Sequence, residues 1–308
     1  MKKALVLFSG GLDSRVTAKF MEELGFEVHL CFVKLPFGAG CGSPLKENEK
    51  FAKEQGFHFH LVDATKEELF LEYLSLVKNP KHGLGVSVNP CRDCKIFIFK
   101  EGKKVAEKIK ADIICTGEVL AQRPMSQMKH SLVFDEEKAG LKDKILRPLS
   151  AKILPETIYE KKGIIDREKL LGIHGRQRVI QMKLADKYNI TYPNPAGGCL
   201  LCEKTYGAKL NCLLKEKPSP KIEEISLLNK GRLFKKEGFL VVGRYEKEND
   251  KLEKLANSLN WGIEKNLKIP GPTVIYEKTE DKDFAIKLWD AYTNNDLKKR
   301  EEFESFKI

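Results

Sequence analysis

Residues 4–8, Ala-Leu-Val-Leu-Phe, are apolar without a break and run straight into Ser9-Gly10-Gly11-Leu12-Asp13-Ser14. A strand without polar alternation is buried on both faces, as in a parallel sheet covered by helices. In such a sheet ligands bind beyond the carboxyl ends of the strands, where this loop lies. Two glycines let main-chain N–H groups approach an anion closely, and Gly11 is expected to take a positive φ that a β-branched residue would resist. The helix that follows aims its positive end at the same point. Ser9 and Ser14 add hydroxyls, and Asp13 can hold a magnesium ion against phosphate oxygens. An ordinary strand–helix turn capped by Asp13 or Ser14 is the bland alternative; the full six-residue string directly after the first strand argues against it.

No Gly-Lys-Ser/Thr follows the glycines, which excludes a P-loop NTPase, and the three-glycine dinucleotide fingerprint is absent too. The first 150 residues alternate apolar runs with helical spacing. Strands are expected at 4–8, 27–33, 57–62 and 112–116, and helices at 14–24, 47–55 and 95–110. This is an α/β pattern, a doubly wound parallel sheet. Two long loops interrupt it, the glycine-rich 37–43 and 79–94. The rhythm changes near residue 175. A helix at 179–188 precedes the Pro/Gly-rich 192–202, and 215–221 reads as a linker. A smaller α+β part follows, with strands at 239–243 and 272–276 around a helix at 250–257. The expected domains are 1–174 (nucleotide-binding), 175–215 (a helical segment carrying a second cysteine pair) and 222–308.

The chain has 308 residues and a net charge of +11, which favours polyanionic partners, nucleic acid first. Lysine enrichment alone can also reflect adaptation to heat, and 45 of the 55 cations are Lys. No apolar run approaches the ~20 residues of a membrane span. Met-Lys-Lys followed by five apolar residues is not an export signal, so the cytoplasm is the expected compartment. Eight cysteines in such a chain point to thiols, metal or catalysis before disulfides. Four of them form two Cys-x-x-Cys pairs, Cys91/Cys94 and Cys199/Cys202. Cys31, Cys115 and Cys212 read as core, and Cys41, in the glycine loop, has no assigned role.

At Ser9–Ser14 the chain resembles the PP-loop ATP pyrophosphatases, whose signature Ser-Gly-Gly-x-Asp-Ser is complete here. The resemblance implies adenylation: ATP and Mg²⁺ on Ser9, Gly10, Gly11, Leu12, Asp13, Ser14 and Gly117, with Asp13 catalytic. Asn89-Pro90-Cys91-Arg92-Asp93-Cys94-Lys95 resembles the segment of the tRNA 2-thiouridylases that carries a catalytic cysteine, which maps onto Cys94; Lys95 stands where the family has Asn. Thr116-Gly117-Glu118-Val119-Leu120, Gln122-Arg123-Pro124-Met125-Ser126-Gln127, Arg147-Pro148-Leu149-Ser150 and Pro195-Ala196-Gly197-Gly198-Cys199 extend the likeness to tRNA thiolation proteins. By resemblance to cluster-dependent thiolases, Cys91, Cys94 and Cys199 would hold a [4Fe–4S] cluster, Cys199 sharing the catalytic role. Cys202 is additional, so four thiolates closing a structural Zn²⁺ site remain open, as do redox thiols without metal.

The expected function is ATP-dependent tRNA sulfur transfer, with sulfide or a persulfide carrier protein as sulfur donor. The alternatives are an amide- or nitrile-forming PP-loop ligase with structural zinc, and a non-catalytic ATP- and RNA-binding protein. Arg123, Arg147, Arg176 and Arg178 are the candidate RNA contacts. Val242-Gly243-Arg244, Asn249-Asp250-x-Leu252 and Pro270-Gly271-Pro272 resemble the NFACT-type RNA-binding domain. The loop begins at residue 9, ahead of which the N-terminal RNA-binding domain of 4-thiouridine synthetases would have no room. RNA recognition is therefore expected from the C-terminal part, the basic surface or a partner.

Overall fold

Alternation along the first strand sets the layers. The structure, a computed structural model, describes residues 1–38, 45–124, 126–193, 199–266, 268–294 and 297–308. In β1 (Lys3–Leu7) one side, Ala4 and Val6, continued by Phe8, packs with Val16, Phe20 and Met21 of α1 (Leu12–Glu23). On the other side Leu7 fits against Gly102 of the long helix α4 (Cys91–Ile109), where any Cβ would lie 2.3 Å from a Leu7 methyl. Both faces are thus covered, which is why β1 carries no polar residue after Lys3. β2 (Glu27–Lys34), α2 (Leu45–Glu54), β3 (His58–Asp63), α3 (Glu67–Lys78) and β4 (Ile113–Thr116) complete the sheet, all parallel in the order β3-β2-β1-β4. The strand order reverses between β1 and β4, and the loops after these two strands face the crevice where such sheets bind ligands. Leu146 continues the ladder beside β4, exchanging main-chain bonds with Ile114 (2.9 Å) and Thr116 (3.0 Å).

Some elements differ from expectation. α4 begins at Cys91 rather than Lys95: Pro90 occupies its N-cap, and the Cys94 N–H donates to the Pro90 carbonyl at 2.8 Å, so both cysteines lie in the helix's first turn. α3 was not expected within 65–78. The division into compact units falls between Cys199 and Leu200. After α5 (Lys129–Lys138) and α6 (Ile158–Lys161), α7 (Val179–Lys187) joins the first unit, its Ala185 in the core with Val16 and Val6.

The second unit, Leu200–Ile308, contains α8 (Lys204–Glu216), α9 (Ile222–Leu227), β5 (Arg232–Lys235), β6 (Phe239–Val242), α10 (Glu246–Leu259), β7 (Gly262–Glu264), β8 (Val274–Tyr276), α11 (Lys282–Thr293) and α12 (Leu297–Glu301). The expected linker at 215–221 connects α8 to α9 inside this unit. Its antiparallel sheet, β5-β6-β8-β7, packs Phe234, Leu240, Val242, Val274 and Tyr276 against Phe284, Ala285 and Leu288 of α11. Asn249 ties the three short motifs of this unit together. Its Oδ1 accepts from the Thr273 N–H at 3.1 Å, its Nδ2 donates to the Gly271 carbonyl at 3.4 Å, and a Cβ at Gly243 would lie 1.9 Å from Oδ1. Among the described residues no helix is long and apolar enough to cross a membrane.

Candidate active site

The phosphate loop follows directly on β1. Positive φ falls on Gly10 (+80°), whereas Gly11 is extended (φ −79°, ψ 172°) at the N-cap of α1, which corrects the expectation for Gly11. Gly10 is closed to a side chain on a second count: a Cβ there would lie 2.1 Å from Oδ1 of the buried Asn48. Ser14 Oγ donates to the Gly11 carbonyl at 2.9 Å and lies 3.3 Å from Ser9 Oγ. Arg15, buried and outside the signature, braces the turn. Its Nε donates to the Gly10 carbonyl and its Nη1 to the Thr191 carbonyl, each at 2.8 Å, while the guanidinium lies over the Phe51 ring at 4.6 Å. Its cationic type gave no signal that it would serve the main chain.

Asp13 points from the first turn of α1 toward the loop after β4. Gln122 Nε2 donates to Asp13 Oδ2 at 2.7 Å, and the fully buried Gln181 of α7 donates to Gln122 Oε1 at 3.0 Å. Asp13 Oδ1 is buried without a hydrogen-bond partner among the described residues. Burial raises the carboxyl above its ordinary 3.8, against the Gln122 hydrogen bond and the charges of Arg178 and Arg123. Arg123 and Arg178 thus stand in the field of the phosphate loop. Arg176 is exposed. Gly117 lies against the loop from the β4 side: a Cβ there would be 2.6 Å from the Asp13 main-chain carbonyl carbon and 2.7 Å from the Ser14 nitrogen.

α4 runs antiparallel to the strands in its βα unit, so its N-terminus and both cysteines come to the carboxyl edge of the sheet. Cys91 is exposed and accepts from the buried Asn89 Nδ2 at 3.0 Å. Cys94 accepts from the Tyr73 hydroxyl of α3 at 3.1 Å. Burial pushes the Cys94 thiol up to about 11, although the Tyr73 hydrogen bond pulls the other way. Tyr73 is itself raised by burial, with Cys94, Cys199 and Cys91 each adding to the shift. One hydroxyl therefore feels all three cysteines of the expected cluster set. Tyr73 lies in a helix that apolar spacing alone would leave as core. Cys202 belongs to the second unit. Cys41, Met125 and Pro195–Gly198 lie outside the described residues.

A buried ion network connects the two halves of the site. Lys95, next to Cys94, reaches Glu118 at 2.7 Å, Asp135 at 3.3 Å and the Ser126 carbonyl at 2.7 Å. Arg147 holds Glu118 at 3.0 Å and pairs with Glu136 on its other side. Its side chain is 5% exposed, so Arg147 is not an RNA-facing cation. The guanidinium is oriented inward by two buried carboxylates, Glu136 and the Glu118 that Lys95 also holds. From Lys95 through the loop 116–127 to Gln122 and Asp13, the cysteine turn and the phosphate loop share one support.

Part of the chain is similar to known proteins. The tRNA-specific 2-thiouridylase MnmA of a Nitratiruptor species is 31% identical over 118 residues, covering 38% of this chain and 34% of that protein. The namesake from Sulfurimonas denitrificans is 34% identical over 118 residues, with the same coverage. The chain thus spans about a third of the length of these curated relatives. Among solved structures, the U34-tRNA thiolase NcsA from Methanococcus maripaludis with its [4Fe-4S] cluster has a TM-score of 0.37 at 17% identity, over 74% of this chain and 71% of that one. Residues 1–172, which contain the phosphate loop, the first cysteine pair and the ion network, match the family model "Thiamine biosynthesis protein (ThiI)", and since they make up more than half of the molecule the chain belongs to the ThiI family.

Proposed function

We propose that this protein is an ATP-dependent tRNA sulfurtransferase. The observation that carries the reading is the shared support: a phosphate-binding loop with an unpartnered buried carboxylate oxygen, joined through Gln122 and Lys95 to a helix turn bearing two cysteines. The loop N–H groups and the α1 N-terminus bind the triphosphate, Asp13 Oδ1 offers a ligand to Mg²⁺, and Arg123 and Arg178 add positive charge at the phosphates. The base carbonyl oxygen attacks the α-phosphorus and pyrophosphate leaves. Sulfide then displaces AMP directly, or a persulfide displaces AMP to give a mixed disulfide with the base, which a second cysteine thiolate cleaves to release the thiolated base and leave a cysteine disulfide. Cys91, Cys94 and Cys199 are the residues that would hold a [4Fe–4S] cluster. Two facts support the fit: Asn89 and Tyr73 already direct donors at two of the sulfurs, and Cys199 acts on the same Tyr73 hydroxyl. A cluster on three cysteines would supply an open iron for the incoming sulfur. Burial raises the Cys94 thiol to about 11, so a cation bound at its sulfur would favour the thiolate.

Nucleoside mass spectrometry of tRNA from strains with and without the gene tests the reading. Loss of one thionucleoside is expected, restored by the parent gene and not by Cys94→Ser; identical profiles would sink it. In anaerobically purified protein, Cys91→Ala, Cys94→Ala and Cys199→Ala should each lose iron, and Cys202→Ala should keep it. Equal loss in the Cys202 variant would replace the set with a four-cysteine site.

Gly117→Ala probes the contact between the two loops. Because the intruding methyl meets main chain rather than a movable side chain, overpacking of about 1–3 kcal/mol falls on the phosphate loop. ATP affinity should drop roughly tenfold or more, since about 1.4 kcal/mol is one decade. Titration with a fluorescent ATP analogue measures it, and unchanged affinity would dissociate Gly117 from the nucleotide site.

A further inference from the structure

Glu27 and His29 stand two residues apart on β2, and His58 and His60 two apart on β3. Strand alternation puts each pair on one face, and the parallel register sets His29 opposite His58. The result is a compact group of donors. Glu27 Oε1 lies 2.9 Å from His29 Nε2 and 3.4 Å from His58 Nε2, and one ligand atom from each of the three residues lies within 4.8 Å of the others. The His29 and His58 rings stack at 4.4 Å. Bonds of about 2.0–2.1 Å in a tetrahedral zinc site place donors roughly 3.3 Å apart, close to this spacing.

We propose that Glu27, His29 and His58 form a binding site for a divalent cation of the zinc class, with His60 as the positioning residue behind His29. His60 Nε2 lies 2.9 Å from His29 Nδ1, on the ring nitrogen opposite the one that faces Glu27. A histidine that ligates through Nε2 donates its Nδ1–H to such a partner, which fixes its tautomer and ring plane. His29 is anchored in the interior, while the His58 side chain is 59% exposed and that of Glu27 29%, leaving room for the ion to enter and for water as a fourth ligand. The set of two imidazoles and one carboxylate suits Zn²⁺, Co²⁺ or Ni²⁺ rather than Mg²⁺ or Ca²⁺.

Placement argues for a structural task. Glu27 and His58 are the first residues of β2 and β3, at the amino ends of the strands, whereas the phosphate loop lies beyond the carboxyl end of β1. β3 is the edge strand of the sheet. A bound ion would clasp that edge to its neighbour and leave the nucleotide site untouched.

The test uses the full chain stripped with a chelator, its cysteines alkylated so that thiols do not compete, and titrated with Zn²⁺ against a chromophoric chelator. One equivalent should bind, and Glu27→Gln or His58→Ala should each weaken it at least tenfold. Both substitutions are at accessible side chains, and circular dichroism checks that each variant is folded. Co²⁺ should give d–d absorption without a thiolate charge-transfer band, and His60→Ala should alter that spectrum while leaving the stoichiometry at one. If the alkylated chain takes up no Zn²⁺, or binds it equally with Glu27 and His58 replaced, the cluster is only a hydrogen-bonded chain from Glu27 through His29 to His60 and the proposal fails.

Discussion

Asp13→Asn is expected to lose at least about a hundredfold in AMP formation while melting no lower than the parent chain, since removing one group that stabilises developing charge typically costs 10²–10³ in rate. The carboxylate is buried, one oxygen has no hydrogen-bond partner among the described residues, and burial raises its pKa. The sign follows from linkage. A carboxyl raised in the fold is less willing to ionise there than in the unfolded chain, so at neutral pH it lowers stability, and the penalty disappears as pH falls below the unfolded value. Asparagine keeps the shape and an oxygen for Gln122 but carries no charge. Such a separation of rate from stability is characteristic of a group retained for function. Pyrophosphate release and thermal melting are the two measurements. Unchanged turnover with the same Mg²⁺ dependence would remove Asp13 from the mechanism, and a large drop in melting temperature would make it a structural residue.

Arg147→Ala should produce the largest loss of stability, about 3–5 kcal/mol, the cost of stranding a buried charge. Glu118 shows why. Burial pushes its carboxyl up, but Lys95 and Arg147 together outweigh burial and hold it at about 2. A pKa lowered in the fold contributes stability that is present above the unfolded value of 4.5 and lost as pH falls toward 2. With Arg147 gone, Glu136 loses its cation and Glu118 keeps only Lys95, so both are held less firmly in the charged form. The first unit should melt about 10 °C lower at pH 7, on the usual scale for domains of this size. The gap between variant and parent should narrow below pH 4.5 as the carboxylates protonate. A variant within one or two degrees of the parent at pH 7 would mean that the network does not bear on folding. Because Lys95 shares Glu118, the same substitution should also loosen the turn that carries Cys94.

How far the sequence is legible depends on the range of the interaction. The apolar residues 4–8 and the six-residue string after them specify strand, turn and helix locally, and the structure has each of them in place. Which of Gly10 and Gly11 takes the left-handed position was not legible, since both glycines allow it; the need for glycine at position 10 is also non-local, because Asn48 of α2 fills the space a Cβ would need there. The start of α4 at Cys91 was within reach, since Pro90 is a good helix-start residue; the long loop expected before it hid the signal. Lys95, a departure from the family pattern, acquires its meaning only where Glu118, Asp135 and the Ser126 carbonyl converge on it.

The sequence by itself determined the chemistry that the first unit carries: a phosphate loop, a Cys-x-x-Cys pair, and a parallel sheet to present both. These are contiguous strings whose conformations follow from steric and hydrogen-bonding preferences within a few residues. Only the tertiary structure decided which arginines face the site and which lie buried, with Arg123 and Arg178 in the field of Asp13 and Arg147 locked between two glutamates. It also decided that Gln181 would support Asp13 through Gln122, and that Glu27-x-His29 and His58-x-His60 would meet across two strands. The physical reason is the same in each case. A charged or polar side chain has no fixed role along the chain; it takes one when packing removes water and leaves a particular partner, brought from many residues away, as its remaining source of hydrogen bonds or charge.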